Sequence, residues 1–150
     1  MDKSIDSGFL LSVEEDLGFD RLDIRSFSPL SFAFIGDAVF SALIRSYVLS
    51  KGNRAANTLH AMSSRYVKAT AQSLMAQYIF DSLSEDEADI YKRGKNAHTN
   101  SHTRNASLYE YKCATGLEAL FGYLYLSGRN SRILELLHMC IECIENKDNK

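Results

Sequence analysis

Two carboxylates stand alone in apolar stretches of this chain. Between Arg25 and Arg45 the only charged residue is Asp37, set in Phe-Ile-Gly-Asp-Ala-Val-Phe, and between Lys112 and Arg129 the only one is Glu118. At helical spacing the neighbours of Asp37 are Leu30, Ala33, Phe34, Phe40, Ser41 and Ile44; those of Glu118 are Tyr111, Ala114, Thr115, Phe121, Gly122 and Tyr125. Neither acid has a cation within reach on its own helix. An ionised carboxylate taken out of water without a partner is costly, so each charge must be offset by an Arg or Lys from another helix, a capped backbone end, a proton or a bound ion. A single such acid is most often a paired structural residue. Two of them on two core helices favour a shared divalent cation, and oxygen ligands point to magnesium, with manganese as a substitute. Gly36, Gly116 and Gly122 fit this picture by letting helix backbones approach, although plain helix packing uses glycine in the same way.

The pattern is that of an all-α domain, with few β-branched alternations and no Asn-Gly hairpin signal. Ser28-Pro29 opens a helix expected to reach about Leu49, and Lys51-Gly52-Asn53 breaks it. A short helix is expected around Ala55 to His60 and a longer one over Ser63 to Leu83. Ser84-Glu85-Asp86-Glu87 reads as a capping box whose helix ends on Lys92-Arg93-Gly94-Lys95-Asn96. Residues 97 to 106 read as an exposed loop, Leu108 to Leu126 as a nearly uncharged helix and Ile133 to Ile144 as the last one. Residues 1–24 then form an acidic, partly helical extension and 25–146 one domain. The tail from Glu145 is expected to fray, with 147–150 outside the domain.

A chain of 150 residues suits one core. No apolar run approaches the roughly 20 residues of a membrane span, and the N-terminus lacks the basic and apolar regions of a signal peptide, so a cytoplasmic protein without a membrane partner is expected. Cys113, Cys140 and Cys143 cannot pair completely, which suits a reducing compartment, and Cys140-x-x-Cys143 lies in a helical pattern without a second ligand pair, as buried small hydrophobes do. The net charge of −2 conceals segregation. Residues 38–80 contain Arg45, Lys51, Arg54, Arg65 and Lys68 and no acid; residues 90–109 contain Lys92, Arg93, Lys95 and Arg104, with His98 and His102, and again no acid. One such run is usually a solvated face, but two in an acidic protein favour a polyanion surface.

Three motifs carry a family resemblance: Ser31-Phe-Ala-Phe-Ile-Gly-Asp-Ala-Val-Phe40, Arg93-Gly-Lys-Asn-Ala97 and Ala114-Thr-Gly-Leu-Glu-Ala-Leu-Phe-Gly-Tyr-Leu-Tyr-Leu126. In order and spacing, over roughly residues 25 to 145, they resemble Mini-ribonuclease III, the short branch of the ribonuclease III family without a double-stranded-RNA-binding domain. The resemblance implies the ribonuclease III endonuclease-domain helical fold as an obligate-type homodimer, and magnesium-dependent cleavage of double-stranded RNA leaving 5′-phosphate and 3′-hydroxyl ends. Asp37 and Glu118 match the family's catalytic and metal-binding acids, and Phe34 the aromatic that plugs into the partner subunit. Ala33 and Thr115 stand where full-length members carry further acids, which leaves the number of ions open. Arg65, Lys68, Arg93, Lys95, Asn96, His98 and Arg104 are the candidate RNA contacts. Lys95 and His98 depart from the branch's Arg and Lys, and Lys lacks the planar fork of Arg, so weaker and more salt-sensitive binding is expected at this loop. The substrate class the resemblance implies is the large-subunit (23S) ribosomal RNA precursor near its mature ends; assistance by a ribosomal protein is left open. The alternatives are a catalytically inert RNA-binding or ribosome-associated protein of the same fold, and a plain helical interaction module.

Overall fold

The computed structural model describes residues 14–18, 23–97 and 107–148, and among them there are helices and turns but no strand. Six α-helices follow one another: α1 Pro29–Ser50, α2 Ala56–Val67, α3 Ala69–Ile79, α4 Glu85–Lys95, α5 Leu108–Leu126 and α6 Asn130–Asp148. Single 3-10 turns cover Ile24–Ser26 and Phe80–Ser82. Of the N-terminal extension, Glu14 to Leu17 form a helical turn, and the greater part lies outside the described residues.

Three serines start helices by the same device. Ser28 accepts from the backbone N–H of Ser31 with Pro29 in the first position, while Ser84 with Glu87 and Ser107 with Glu110 form complete capping boxes. Helix α5 is the axis of the molecule: α1, α3 and α4 pack on it, and α6 closes the far side over α3 and α5. The core between them is aromatic and aliphatic. Phe40 meets Phe121 edge-on at 5.3 Å, Phe32 meets Tyr123 at 5.7 Å, and Ile44, Met75, Ile79, Leu117 and Leu136 are fully buried around them.

The sequence expectation of one helix over Ser63 to Leu83 fails at Lys68. There the backbone is extended, with φ −65° and ψ 152°, so α2 runs unbroken from Ala56 through Val67 and α3 starts afresh. Val67-Lys68-Ala69 has neither Gly nor Pro to announce a break. A local side-chain bond braces it: Gln72 reaches back and donates from Nε2 to the Val67 carbonyl at 2.8 Å. The C-terminal helix also departs from expectation. It begins at Asn130 after the left-handed Gly128 (φ 71°) and continues to Asp148 instead of fraying from Glu145. Glu145 accepts hydrogen bonds from Tyr47 and Tyr66, and Arg65 pairs with Asp148 at 2.5 Å, so the last turn is fastened to α1 and α2.

Helix α1 corrects a third expectation. It is 22 residues long and apolar enough, by length and composition, to cross a membrane. In this fold its inner face, with Phe32, Phe40, Ile44 and Val48, is core. On its outer side Leu30, Phe34 and Leu49 are exposed. The cysteines behave as expected: Cys113 and Cys140 are buried, none is in a disulfide, and burial together with Cys143 pushes the Cys140 thiol well above its ordinary range.

Candidate active site

Asp37 sits in the middle of α1 and Glu118 in the middle of α5, and the crossing of these two helices decides how far apart they lie. At the crossing there is no side chain between the backbones. A Cβ built on Gly36 would fall 1.7 Å from the carbonyl oxygen of Glu118, and one built on Gly122 would fall 1.9 Å from the carbonyl oxygen of Phe32. The third expected glycine, Gly116, presses on Tyr91 of α4, and Gly94, not singled out in the sequence, presses on Ala119. Close approach therefore brings the residue after Gly36 beside the residue whose carbonyl it touches. The two carboxyl groups are close enough to interact.

The apolar surroundings inferred for both acids hold for one of them. Glu118 is largely buried, whereas Asp37 is exposed at the mouth of the site. Burial first, and then the hydrogen bond and charge of Asp37, push the Glu118 carboxyl from an ordinary 4.5 up to about 9. Neither acid has an ion pair among the described residues. Burial and the neighbouring Asp37 thus favour the protonated form of Glu118, which eases the charge problem posed by the sequence.

This arrangement has a measurable cost. A carboxyl whose pKa is higher folded than unfolded stabilises the fold fully only below its unfolded value, so stability is lost as pH rises from about 4.5 toward about 9. Glu118→Gln removes the titration and keeps the shape. Thermal unfolding of the metal-free protein is expected to show the variant more stable at neutral pH, by on the order of 2–3 kcal/mol, with the wild-type decline in this window flattened. Equal pH slopes for the two proteins would contradict this account of Glu118.

Both acids line a cavity of about 560 Å³. Tyr111 and Ala114 of α5 continue their wall, and the α2–α3 junction supplies the other through Ser64, Lys68, Thr70 and Gln72. Among the described candidate RNA contacts, Lys68 alone is in this cavity. Arg65 is engaged by Asp148 and by the Tyr66 hydroxyl, and Arg93 lies 4.0 Å from Asp89 on its own helix. Lys95 and Asn96 border a separate cavity of about 340 Å³ with Lys92 and Tyr109, Lys95 resting over the Tyr109 ring. His98 and Arg104 lie outside the described residues. Ser64, Thr70 and Gln72 were not found by sequence reasoning, because the chain break that brings them to the site leaves no local mark.

Two hard oxygen donors side by side, without a paired cation and facing room for water, suit a divalent ion of the magnesium type. Asp37 and Glu118 would hold it. Among the described residues no third His, Cys, Asp or Glu joins them, so the rest of a coordination shell falls to water or ligand oxygens.

Comparison with known proteins follows the same geometry. The ribonuclease III domain model matches residues 30–129, the span from the start of α1 to the end of α5 that contains both acids. The chain belongs to the ribonuclease III family. It is 41% identical to Mini-ribonuclease 3 of Thermoanaerobacter sp. (strain X514) over 145 residues, covering 97% of this chain and 99% of that one. It is 37% identical to Mini-ribonuclease 3 of Enterococcus faecalis, with 85% and 98% covered. A crystal structure of a protein from Fusobacterium nucleatum superposes with a TM-score of 0.72 at 38% identity, covering 80% of this chain and 96% of that one. As a ribonuclease III family member, the chain is an endoribonuclease of the class that acts on double-stranded RNA, in a family that generally depends on a divalent metal.

Proposed function

We propose that this protein is a magnesium-dependent endoribonuclease that cleaves double-stranded RNA at Asp37 and Glu118, leaving 5′-phosphate and 3′-hydroxyl ends, and that it acts in the cytoplasm on the 23S ribosomal RNA precursor. The observation that carries this reading is the juxtaposition of two acids without an ion pair, from separate helices, in one cavity of about 560 Å³. A divalent cation bound there supplies Lewis-acid polarisation of a phosphoryl oxygen and acidifies a water, the chemistry of phosphodiester hydrolysis. Asp37, exposed at the mouth, and Glu118, deeper in the cavity, would hold such an ion, with Glu118 binding as the carboxylate. Lys68 in the cavity, and Lys92, Arg93, Lys95 and Asn96 at the end of α4, offer cations and donors to the RNA backbone. A-form RNA is recognised mainly through phosphates and 2′-hydroxyls, so duplex shape sets the target more than sequence.

The purified protein, incubated with a long RNA duplex with and without magnesium, should cut only with the metal; a duplex left intact in both would refute the nuclease reading. The ribosomal substrate rests on the family resemblance. A paired stem from the 23S precursor should be cut at fixed positions and in preference to an unrelated duplex, and equal random cutting of both would remove that assignment.

The outer face of α1 supports a homodimer. Phe34 is 84% exposed, and next to it Ile35, Val39, Leu43, Tyr125 and Leu134 line an apolar groove of about 510 Å³. A two-fold interface presents the same patch from both subunits, so the Phe34 of each copy would enter the groove of the other. Phe34→Asp is expected to convert the dimer to monomer by sedimentation at micromolar protein, while a variant that remained a dimer would place the interface elsewhere.

A further inference from the structure

The cavity of about 340 Å³ lies where the ends of α3 and α4 meet the start of α5, and its chemistry differs from that of the acid pair. Lys92 Nζ stands 5.6 Å from the centre of the Phe80 ring, and Lys95 Nζ 4.9 Å from that of Tyr109. Two ammoniums thus flank one space, each leaning on an aromatic ring. Neither lysine has an ion pair among the described residues, and the negative end of α4 offsets their charge only in part.

Tyr109 supplies an independent observation. It is 53% exposed, a large ring left in water beside a cavity instead of in the core. Asn96 and Asp81 belong to the same lining, and the side chain of neither has a hydrogen bond or ion pair among the described residues. An exposed ring, an amide, a carboxylate and two ammoniums without acids around one space match the parts of a nucleotide. A flat base offers a π-face to the ring and an edge of donors and acceptors to the amide and carboxylate, and the phosphate offers negative charge to the lysines.

We infer that this cavity seats one unpaired nucleotide of the substrate RNA, its base stacked on Tyr109, its edge met by Asn96 and Asp81, and its phosphate held by Lys92 and Lys95. This rests on the endoribonuclease reading and deepens it, because α3 runs from one cavity to the other. From Thr70, which lines the cavity of the acids, to Gln77, which lines this one, the helix rises roughly 10 Å at ~1.5 Å per residue, so the seat lies a few nucleotides from the cut. A bulged duplex gives up no base pair to fill the seat, whereas a continuous duplex must open one, so the enzyme prefers a helix with a bulge at that spacing.

Binding of the full chain in chelator tests the seat apart from cleavage. An RNA duplex carrying a single bulged 2-aminopurine, walked along the strand, should bind about fivefold to tenfold tighter at one position than the same duplex with that base paired, and its fluorescence should fall there as the base stacks. Tyr109→Phe should keep both effects; Tyr109→Ala, checked for folding by its melting temperature, should lose both. Equal affinity for bulged and paired duplexes at every position in wild-type protein overturns the seat, whatever the variants do, and a preference that survives in Tyr109→Ala overturns it as well. Adenosine 5′-monophosphate that shifts the Tyr109 and Lys95 amide NMR signals, with no preference for any bulge, would give the cavity to a free nucleotide and overturn its assignment to RNA. A bulge preference without magnesium-dependent cleavage would keep the seat and sink the nuclease reading; cleavage without the preference would do the reverse.

Discussion

Asp37→Asn and Glu118→Gln are each expected to lower magnesium-dependent cleavage of duplex RNA by about a thousandfold or more, a loss of about 4 kcal/mol of transition-state stabilisation. Both changes keep size and shape while removing the carboxylate and its charge. Because no third His, Cys, Asp or Glu accompanies the pair among the described residues, the remaining acid has no neighbour to take over the lost ligand. Damage to folding does not explain the loss, since Glu118→Gln is expected to make the metal-free protein more stable. Single-turnover cleavage with enzyme in excess, alongside circular dichroism of each variant, separates the two effects. Wild-type rates for either variant would remove that residue from the site.

Gly36→Ala is the structural counterpart. One methyl group would lie 1.7 Å from the Glu118 carbonyl oxygen, about half an ordinary contact distance, and that oxygen belongs to a helix backbone that cannot swing aside. The helices must separate along the seam that also brings Gly122 against Phe32. A destabilisation of ~3 kcal/mol or more is expected in chemical denaturation, as overpacking rigid backbone costs at least as much as overpacking side chains. The surviving folded fraction should also cleave poorly, because separating α1 from α5 separates Asp37 from Glu118. An alanine variant with wild-type stability and activity would mean that the helices do not meet at this point.

How much of this was legible in the sequence follows from where the information lies. Solitary acids in apolar helices, serine caps and helix-interior glycines are local marks, and from them the all-α fold, the α1–α5 crossing and the two candidate ligands could be read. The break at Lys68 is held by Gln72 across a turn, with no glycine or proline, so the wall carrying Ser64, Thr70 and Gln72 was invisible. Arg65 shows what an acid-free run hides: its partner Asp148 is far along the chain, and only the fold brings them together. The unequal exposure of Asp37 and Glu118 could not be read either, since helical neighbours report composition around a residue and not which side faces water.

Helix α4 is gripped twice. Near its start Glu87, 3% exposed, takes a two-pronged hydrogen bond from Arg132 of α6, and near its end Gly94 lies against Ala119 and Gly116 of α5. Lys92, Arg93 and Lys95 are therefore presented from a rod with little freedom to pivot. A polyanion docking on that bank of charges has almost no backbone wandering to quench, so salt, more than the entropy of ordering the protein, should govern how tightly it is retained.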